Sequence, residues 1–247
     1  MPGYSSRILP ALESGLSFFR PHHQELRRRL CIILGGMVVC SAIAYRFAEP
    51  LAILCITPLQ NASPLVGKLV YTSLPEAFIA YLKIAVLAGI IGSMPLTLYQ
   101  IWAFIAPGLH RQEKRTALTI AFWASLLFAA GAGFSFFVAL PQLLKYFMGY
   151  VSSGLVPLPK FGAYLHFVAK MTIGVGLAFE IPFLMVMAKK VGLIKRDYFK
   201  KKRIWFYGII IAGAFFLSTG DMAATALLSL PLFLFYETGN VISRRIA

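Results

Sequence analysis

Four carboxylates in this chain are placed where their chemistry would matter. Glu25 lies in His22-His23-Gln24-Glu25-Leu26-Arg27-Arg28-Arg29-Leu30, and Glu113 lies in Phe104-Ile105-Ala106-Pro107-Gly108-Leu109-His110-Arg111-Gln112-Glu113-Lys114-Arg115. Each is a single anion in a basic stretch that borders apolar sequence. Such a carboxylate suits a guanidinium, which it can hold through two parallel hydrogen bonds. Intrachain roles compete with that reading. Glu25 has i,i+4 spacing to Arg29, which helps to start a helix, and Glu113 suits the first turn of a following helix.

Glu180, two residues before Pro182, sits deep in an apolar run of twenty-odd residues. An ionisable group inside a membrane marks function by default, or else makes an interhelical hydrogen bond. At about 100° per residue, His166, Lys170 and Glu180 fall on one polar stripe of a helix. Asp221, in Ser218-Thr219-Gly220-Asp221, has the position and type of a helix N-cap.

These groups must be held by helices in lipid. Of the 247 residues, 59% are apolar and 13% charged, and mean hydropathy is +0.75; soluble domains carry about a quarter charged residues. The charges are nearly absent from continuous runs of the length that crosses a bilayer. Because those runs do not alternate, helices rather than a barrel satisfy the backbone in lipid. The predicted fold is all-α, a polytopic membrane protein with six transmembrane helices. The expected spans are 31–47, 77–102 (interrupted by Pro95), 116–140, 163–188, 204–217 and 222–236. The last two are short and could be one long helix, but Gly220-Asp221 signals a turn and an Asp at bilayer centre is expensive. Residues 51–59, with Pro50 and Pro58, suit an interfacial cap.

Lysine and arginine placement gives the orientation. One side receives Arg7, Arg20 and Arg27 to Arg29, then Arg111, Lys114 and Arg115. It also receives the basic run from Lys189 to Arg203, then Arg244 and Arg245. The other side receives only Lys68, Lys145 and Lys160. The positive-inside rule puts both termini in the cytoplasm and makes the number of crossings even. The expected organisation is a cytoplasmic N-terminal segment (1–30), a transmembrane domain (31–237) and a cytoplasmic tail (238–247).

The net charge of +15 follows from this topology and does not indicate nucleic-acid binding, since no DNA- or RNA-binding motif occurs. Cys31, Cys40 and Cys55 form no CxxC pair and read as small hydrophobes. The four histidines make no ligand cluster, so neither a metal nor another cofactor is expected. No Walker, HExxH or GxSxG pattern is present, and no nucleophile–base pair suggests an enzyme. Gly131-Ala132-Gly133 and Gly174-Val175-Gly176 suit close helix approach.

The chain resembles the TatC family, the multispanning receptor subunit of the twin-arginine protein translocase, from about residue 22 to residue 244. The resemblance is carried by His22-x-x-Glu25-Leu26-Arg27-x-Arg29-Leu30, Glu76-Ala77-Phe78 and Pro95-x-x-x-Tyr99-Gln100-x-Trp102-x-Phe104-Ile105-x-Pro107-Gly108-Leu109. It continues in Glu113-Lys114-Arg115, Gly176-x-x-Phe179-Glu180-x-Pro182, Asp221, and Pro231 with Tyr236-Glu237. It departs at Ser218-Thr219-Gly220-Asp221, where the family often has Thr-Pro-Pro-Asp, and at Thr225, where Gln is common.

The resemblance implies recognition of twin-arginine signal peptides of folded precursors at the cytoplasmic face. It further implies assembly with TatA/TatB-type single-span subunits in a homo-oligomeric receptor complex, and export driven by the protonmotive force, in a cell inner membrane. Carried over, Glu25 and Glu113 would face the paired arginines with Phe104 beside them, and Arg27 and Arg29 would hold the carboxylates. Glu180, Asp221, Ser218 and Thr225 would be the membrane-embedded polar contacts for an inserting peptide or partner helix. The main rival is a proton-coupled small-solute transporter, which should show two similar halves; none is visible. A purely structural scaffold is a further alternative.

Overall fold

The structure, a computed structural model, describes the backbone of residues 5–62, 69–71, 73–105, 114–150, 157–190, 192, 194 and 197–245, and side chains within residues 23–243 of these except 74, 105 and 114–117. The order is α1 (Ser5–Tyr45), α2 (Ala48–Ala62), α3 (Leu74–Ile105), α4 (Lys114–Phe134), a π-helical turn (Ser135–Ala139), α5 (Leu140–Met148), α6 (Phe161–Lys190), α7 (Tyr198–Lys201), α8 (Arg203–Leu217) and α9 (Met222–Arg245). Among the described residues there is no strand, only a single parallel bridge between Val70 and Lys160.

Five helical stretches are long and apolar enough to cross a membrane: His23–Tyr45, Pro75–Phe104, Leu118–Met148, Phe161–Lys190 and Met222–Ser243. Arg203–Leu217 is apolar but shorter, about 22 Å long at 1.5 Å per residue. The all-helical reading therefore holds, and the boundaries move. Pro95 does not interrupt α3, which runs through it, as transmembrane helices allow when their neighbours support the backbone. α1 begins at Ser5, well ahead of the apolar run, and α9 continues past Tyr236-Glu237 to Arg245. Polar residues ended the expected spans, but they do not end the helices.

α6 is the central element and packs on α3, α4, α8 and α9. α1 lies at one edge against α3, and none of its described residues is fully buried. The core joins Leu59, Ala80, Leu143, Val168, Met171, Ala214, Leu228 and Tyr236. Large apolar side chains such as Val38, Phe122, Phe137, Ile209 and Leu230 point outward, the inverse of a water-facing surface and the arrangement lipid requires. Expected close approaches appear at Gly174, against Leu217, and at Gly176, against Phe128. The tightest backbone contact is elsewhere. A Cβ on Gly89 would stand 2.6 Å from the Ser41 backbone, so α1 and α3 meet there with no room for a side chain.

At the end of the bundle where α1 finishes, α2 forms the expected cap, packing on α3 and α5. The Tyr164 hydroxyl on α6 donates to the Cys55 carbonyl at 2.6 Å, fastening the cap, and Cys55 is buried beneath it. That burial pushes its thiol up to about 11.

Gly89→Ala should destabilise the protein by about 1–3 kcal/mol through overpacking. Gly92→Ala, on the same helix and in open space, should leave it unchanged; thermal unfolding in detergent compares the two. Cys55 should resist N-ethylmaleimide at pH 8 because the thiolate is the nucleophile. Tyr164→Phe should speed its alkylation, which mass spectrometry reads directly.

Candidate functional site

The N-terminal part of α1 and the C-terminal part of α3 meet at the end of the bundle opposite the cap. Glu25 and Arg29 pair along α1 at i,i+4 spacing. Arg29 Nη2 and Nε donate to Glu25 Oε1 at 2.6 and 3.1 Å. The same guanidinium reaches across to α3, where Nη1 donates to Gln100 Oε1 at 3.2 Å. Gln100 is buried, which makes it a fixed post, and Phe104 follows one helical turn later on the same face. Arg27 and Arg28 are exposed. Of the expected recognition residues, then, Glu25 and Arg29 are brought together, Phe104 stands one turn beyond their partner, and Arg27 stands apart. Glu113 lies outside the described residues.

The intramembrane candidates divide. Glu180 is buried at 2% exposure. It faces the Phe128 backbone on α4, yet neither carboxylate oxygen meets a hydrogen-bond partner among the described residues. Leaving such a group unsatisfied costs roughly 1–3 kcal/mol or more. The buried hydroxyls of Thr97, Ser135 and Thr172 are also without partners there. Asp221, Ser218 and Thr225 are instead satisfied by one another. Asp221 Oδ1 accepts from the Ala224 amide at 2.7 Å, the N-cap its type and position suggest. The Ser218 and Thr225 hydroxyls meet at 2.7 Å, and Thr225 Oγ1 donates to the Asp221 carbonyl at 2.5 Å. Thr219 and Gly220 turn the chain at φ of +61° and +92°, the second of which a proline could not adopt.

The polar stripe expected on α6 does not act as one surface. His166 faces outward. Lys170 donates to the Phe216 carbonyl, with its ammonium 4.7 Å from the Phe216 ring centre. It thus caps the C-terminus of α8 with a cation, as the helix dipole favours. Phe216 meets α6 about 13 Å along from Phe161, so the short α8 turns back well before α6 does.

Two clusters escape sequence reasoning. Gln100 stood within a motif, but nothing in spacing could say that Arg29 would reach it. The second cluster ties α8 to α9. Arg203 pairs with Glu237, with Nε donating to Oε1 at 2.7 Å, and the Tyr207 hydroxyl donates to the same oxygen at 2.6 Å. Nearby, the Tyr236 hydroxyl donates to the Phe199 carbonyl at 2.7 Å, and Lys189 Nζ donates to the Ser243 carbonyl at 3.3 Å. Only the Tyr236-Glu237 pair hinted at it. Among the described residues, no group of three or more His, Cys, Asp or Glu side chains could hold a metal.

Comparison with known proteins agrees with this architecture. The family described as Sec-independent protein translocase protein (TatC) matches residues 21–231. A Sec-independent protein translocase protein TatC from Desulforapulum autotrophicum is 33% identical over 232 residues, covering 94% of this chain and 86% of the relative. The one from Aquifex aeolicus is 33% identical over 219 residues, 87% of this chain and 90% of the relative. A crystal structure of the twin arginine translocase receptor TatC superposes with a TM-score of 0.81 at 30% identity, over 91% of this chain and 99% of that one. A second, in DDM, gives 0.82 at 31% identity, over 90% of this chain and 99% of that one. With a family match over most of its length and relatives above 30% identity, the chain belongs to the TatC family.

Proposed function

We propose that this protein is the receptor subunit of a twin-arginine translocase, binding paired-arginine signal peptides of folded precursors at the cytoplasmic end of a six-span bundle. Residues 31–237 form the membrane domain, with 1–30 and 238–247 on the cytoplasmic side of a cell inner membrane. In this reading α8 is the sixth crossing in spite of its length, since a short helix is accommodated by local thinning or by its neighbours. TatA/TatB-type single-span proteins are the partners, in a homo-oligomeric receptor complex. The chain does transport work without chemistry of its own.

One observation carries the reading. Glu25 already grips a guanidinium, that of Arg29, beside Gln100 and one turn from Phe104. A carboxylate that already holds one guanidinium within the chain, at the basic end of a membrane bundle, suits a twin-arginine ligand. Glu113 supplies the second anion, Arg29 holds Glu25 in the absence of ligand, and Arg27, exposed and apart from that pair, belongs to the surrounding basic face. Deep in the bundle, Glu180 supplies unspent hydrogen-bonding capacity for an inserted helix. Ser218, Asp221 and Thr225 shape the α8–α9 turn beside which a partner span would lie. The transporter alternative finds no support in the family to which the chain belongs.

Purified protein should bind a twin-arginine signal peptide about 10–100-fold more tightly than its twin-lysine variant. Lysine keeps the charge but loses the fork, and each lost charge-assisted hydrogen bond costs about 1.5–3 kcal/mol. Equal affinity for the two peptides would remove the receptor reading. Glu25→Gln should weaken binding by a similar factor and Glu113→Lys should abolish it, both with normal insertion; unchanged export at normal protein level would count against these roles. A photocrosslinker at position 180 should capture a signal peptide or a partner span. Capture of lipid alone would exclude Glu180 from that contact.

A further inference from the structure

The Glu25–Arg29–Gln100 group has an asymmetry that bears on how a ligand enters. Both donating nitrogens of Arg29 fall on the same oxygen of Glu25, Oε1. Oε2 has no partner among the described residues, and the Glu25 side chain keeps 36% of its exposure while Arg29 keeps 20%. The strongest guanidinium–carboxylate pairing uses both oxygens through two parallel bonds, and this pair does not adopt it. Arg29 is held in addition by an uncharged acceptor, Gln100 Oε1, on a different helix and in a buried position.

We infer that Arg29 is a resident competitor for Glu25, occupying the carboxylate as the ligand's arginine would, and that Gln100 is the seat that keeps Arg29 when the ligand displaces it. The inference rests on the receptor reading and specifies its binding step. An incoming guanidinium first meets the open Oε2. As it turns to take both oxygens, Arg29 releases Oε1 and remains bonded to the Gln100 amide oxygen. The exchange swaps one guanidinium for another, so Glu25 is never left unpaired. Tethered competition of this kind lowers the affinity of every displacing ligand by the same factor, the reciprocal of the fraction of receptor with Glu25 free. Arg29 therefore sets the threshold concentration for binding, whereas discrimination between arginine and lysine comes from the carboxylate geometry.

The test measures binding of twin-arginine and twin-lysine signal peptides to the full-length protein in detergent, with size-exclusion chromatography confirming the fold of each variant. Arg29→Met should tighten both peptides by about fivefold, the worth of a partly exposed ion pair, and leave their ratio unchanged. Arg29→Lys should tighten them by less. Arg28→Met, which removes an equal charge with no ion-pair partner among the described residues from the neighbouring position, should change either affinity by less than about twofold. Gln100→Leu should alter affinity in the unaltered background and have no effect when combined with Arg29→Met, because Gln100 acts only through Arg29. If Arg29→Met weakens the twin-arginine peptide, or tightens it no more than Arg28→Met does, Arg29 is not a competitor. A Gln100→Leu effect that persists beside Arg29→Met would remove Gln100 as its seat. Failure of the unaltered protein to prefer arginine over lysine would instead overturn the receptor reading itself, so the two failures are separable.

Discussion

Hydrocarbon offers a polar group no partner, and each unsatisfied backbone group there costs several kcal/mol, so the polar atoms of this chain must find one another. That requirement orders the structure more than any apolar contact does, because lipid is as good a solvent for leucine as another helix is. Tyr164 fastens the cap by donating to Cys55. Lys170 closes the end of α8, and Ser218, Asp221 and Thr225 satisfy one another in the turn that follows. Arg203, Tyr207 and Glu237 join α8 to α9. The ties at Lys170 and in the α8–α9 turn sit at a helix end, where backbone groups would otherwise be orphaned. Glu180 departs from this pattern, as do the buried hydroxyls of Thr97, Ser135 and Thr172 among the described residues, and of these four Glu180 alone is ionisable.

The same constraint separates what sequence patterning reveals from what it hides. Apolar runs of bilayer length expose helices α3, α4, α6 and α9, because the run and the helix have one physical cause. Helix ends are different. Glu25 to Arg29 interrupt hydropathy but not helicity, since the charged side chains pair along the helix while its backbone ladder continues; α1 thus begins far upstream of the expected span. Tyr236-Glu237 likewise carries α9 onward, the acid being held by Arg203 and Tyr207. Pro95 marks a potential break, yet α3 runs through it.

Among the site residues, legibility follows sequence separation. The Glu25–Arg29 pair and the Asp221 cap are local, fixed by spacing of three or four residues, and both were readable. The Arg29–Gln100 bond spans 71 residues and depends on where α1 settles against α3, which Gly89 decides by admitting the Ser41 backbone. Nothing in the spacing of Arg29 and Gln100 announces that register. The stripe of His166, Lys170 and Glu180 failed for a related reason: angular position on a helix says nothing about which neighbour lies opposite at each height. At Lys170 that neighbour is the end of α8, at Glu180 it is α4, and the His166 ring is exposed.

The α8–α9 turn shows how a departure from a family's usual residues can be a consistent alternative solution. Where the family often has two prolines before the aspartate, this chain has Thr219-Gly220, and Gly220 adopts a φ of +92° that proline cannot reach. The glutamine common four residues after the aspartate is Thr225, whose short hydroxyl bonds Ser218 and the Asp221 carbonyl inside the turn. A longer amide would extend past those acceptors and offer its hydrogen bonds outward. The two departures therefore belong together: glycine lets the turn close tightly, threonine satisfies it from within, and Lys170 on α6 holds the end of α8 from outside. The hydroxyls and the carboxylate of this turn are thus engaged within it or with its own backbone, whereas the buried carboxylate of Glu180 has no hydrogen-bond partner among the described residues.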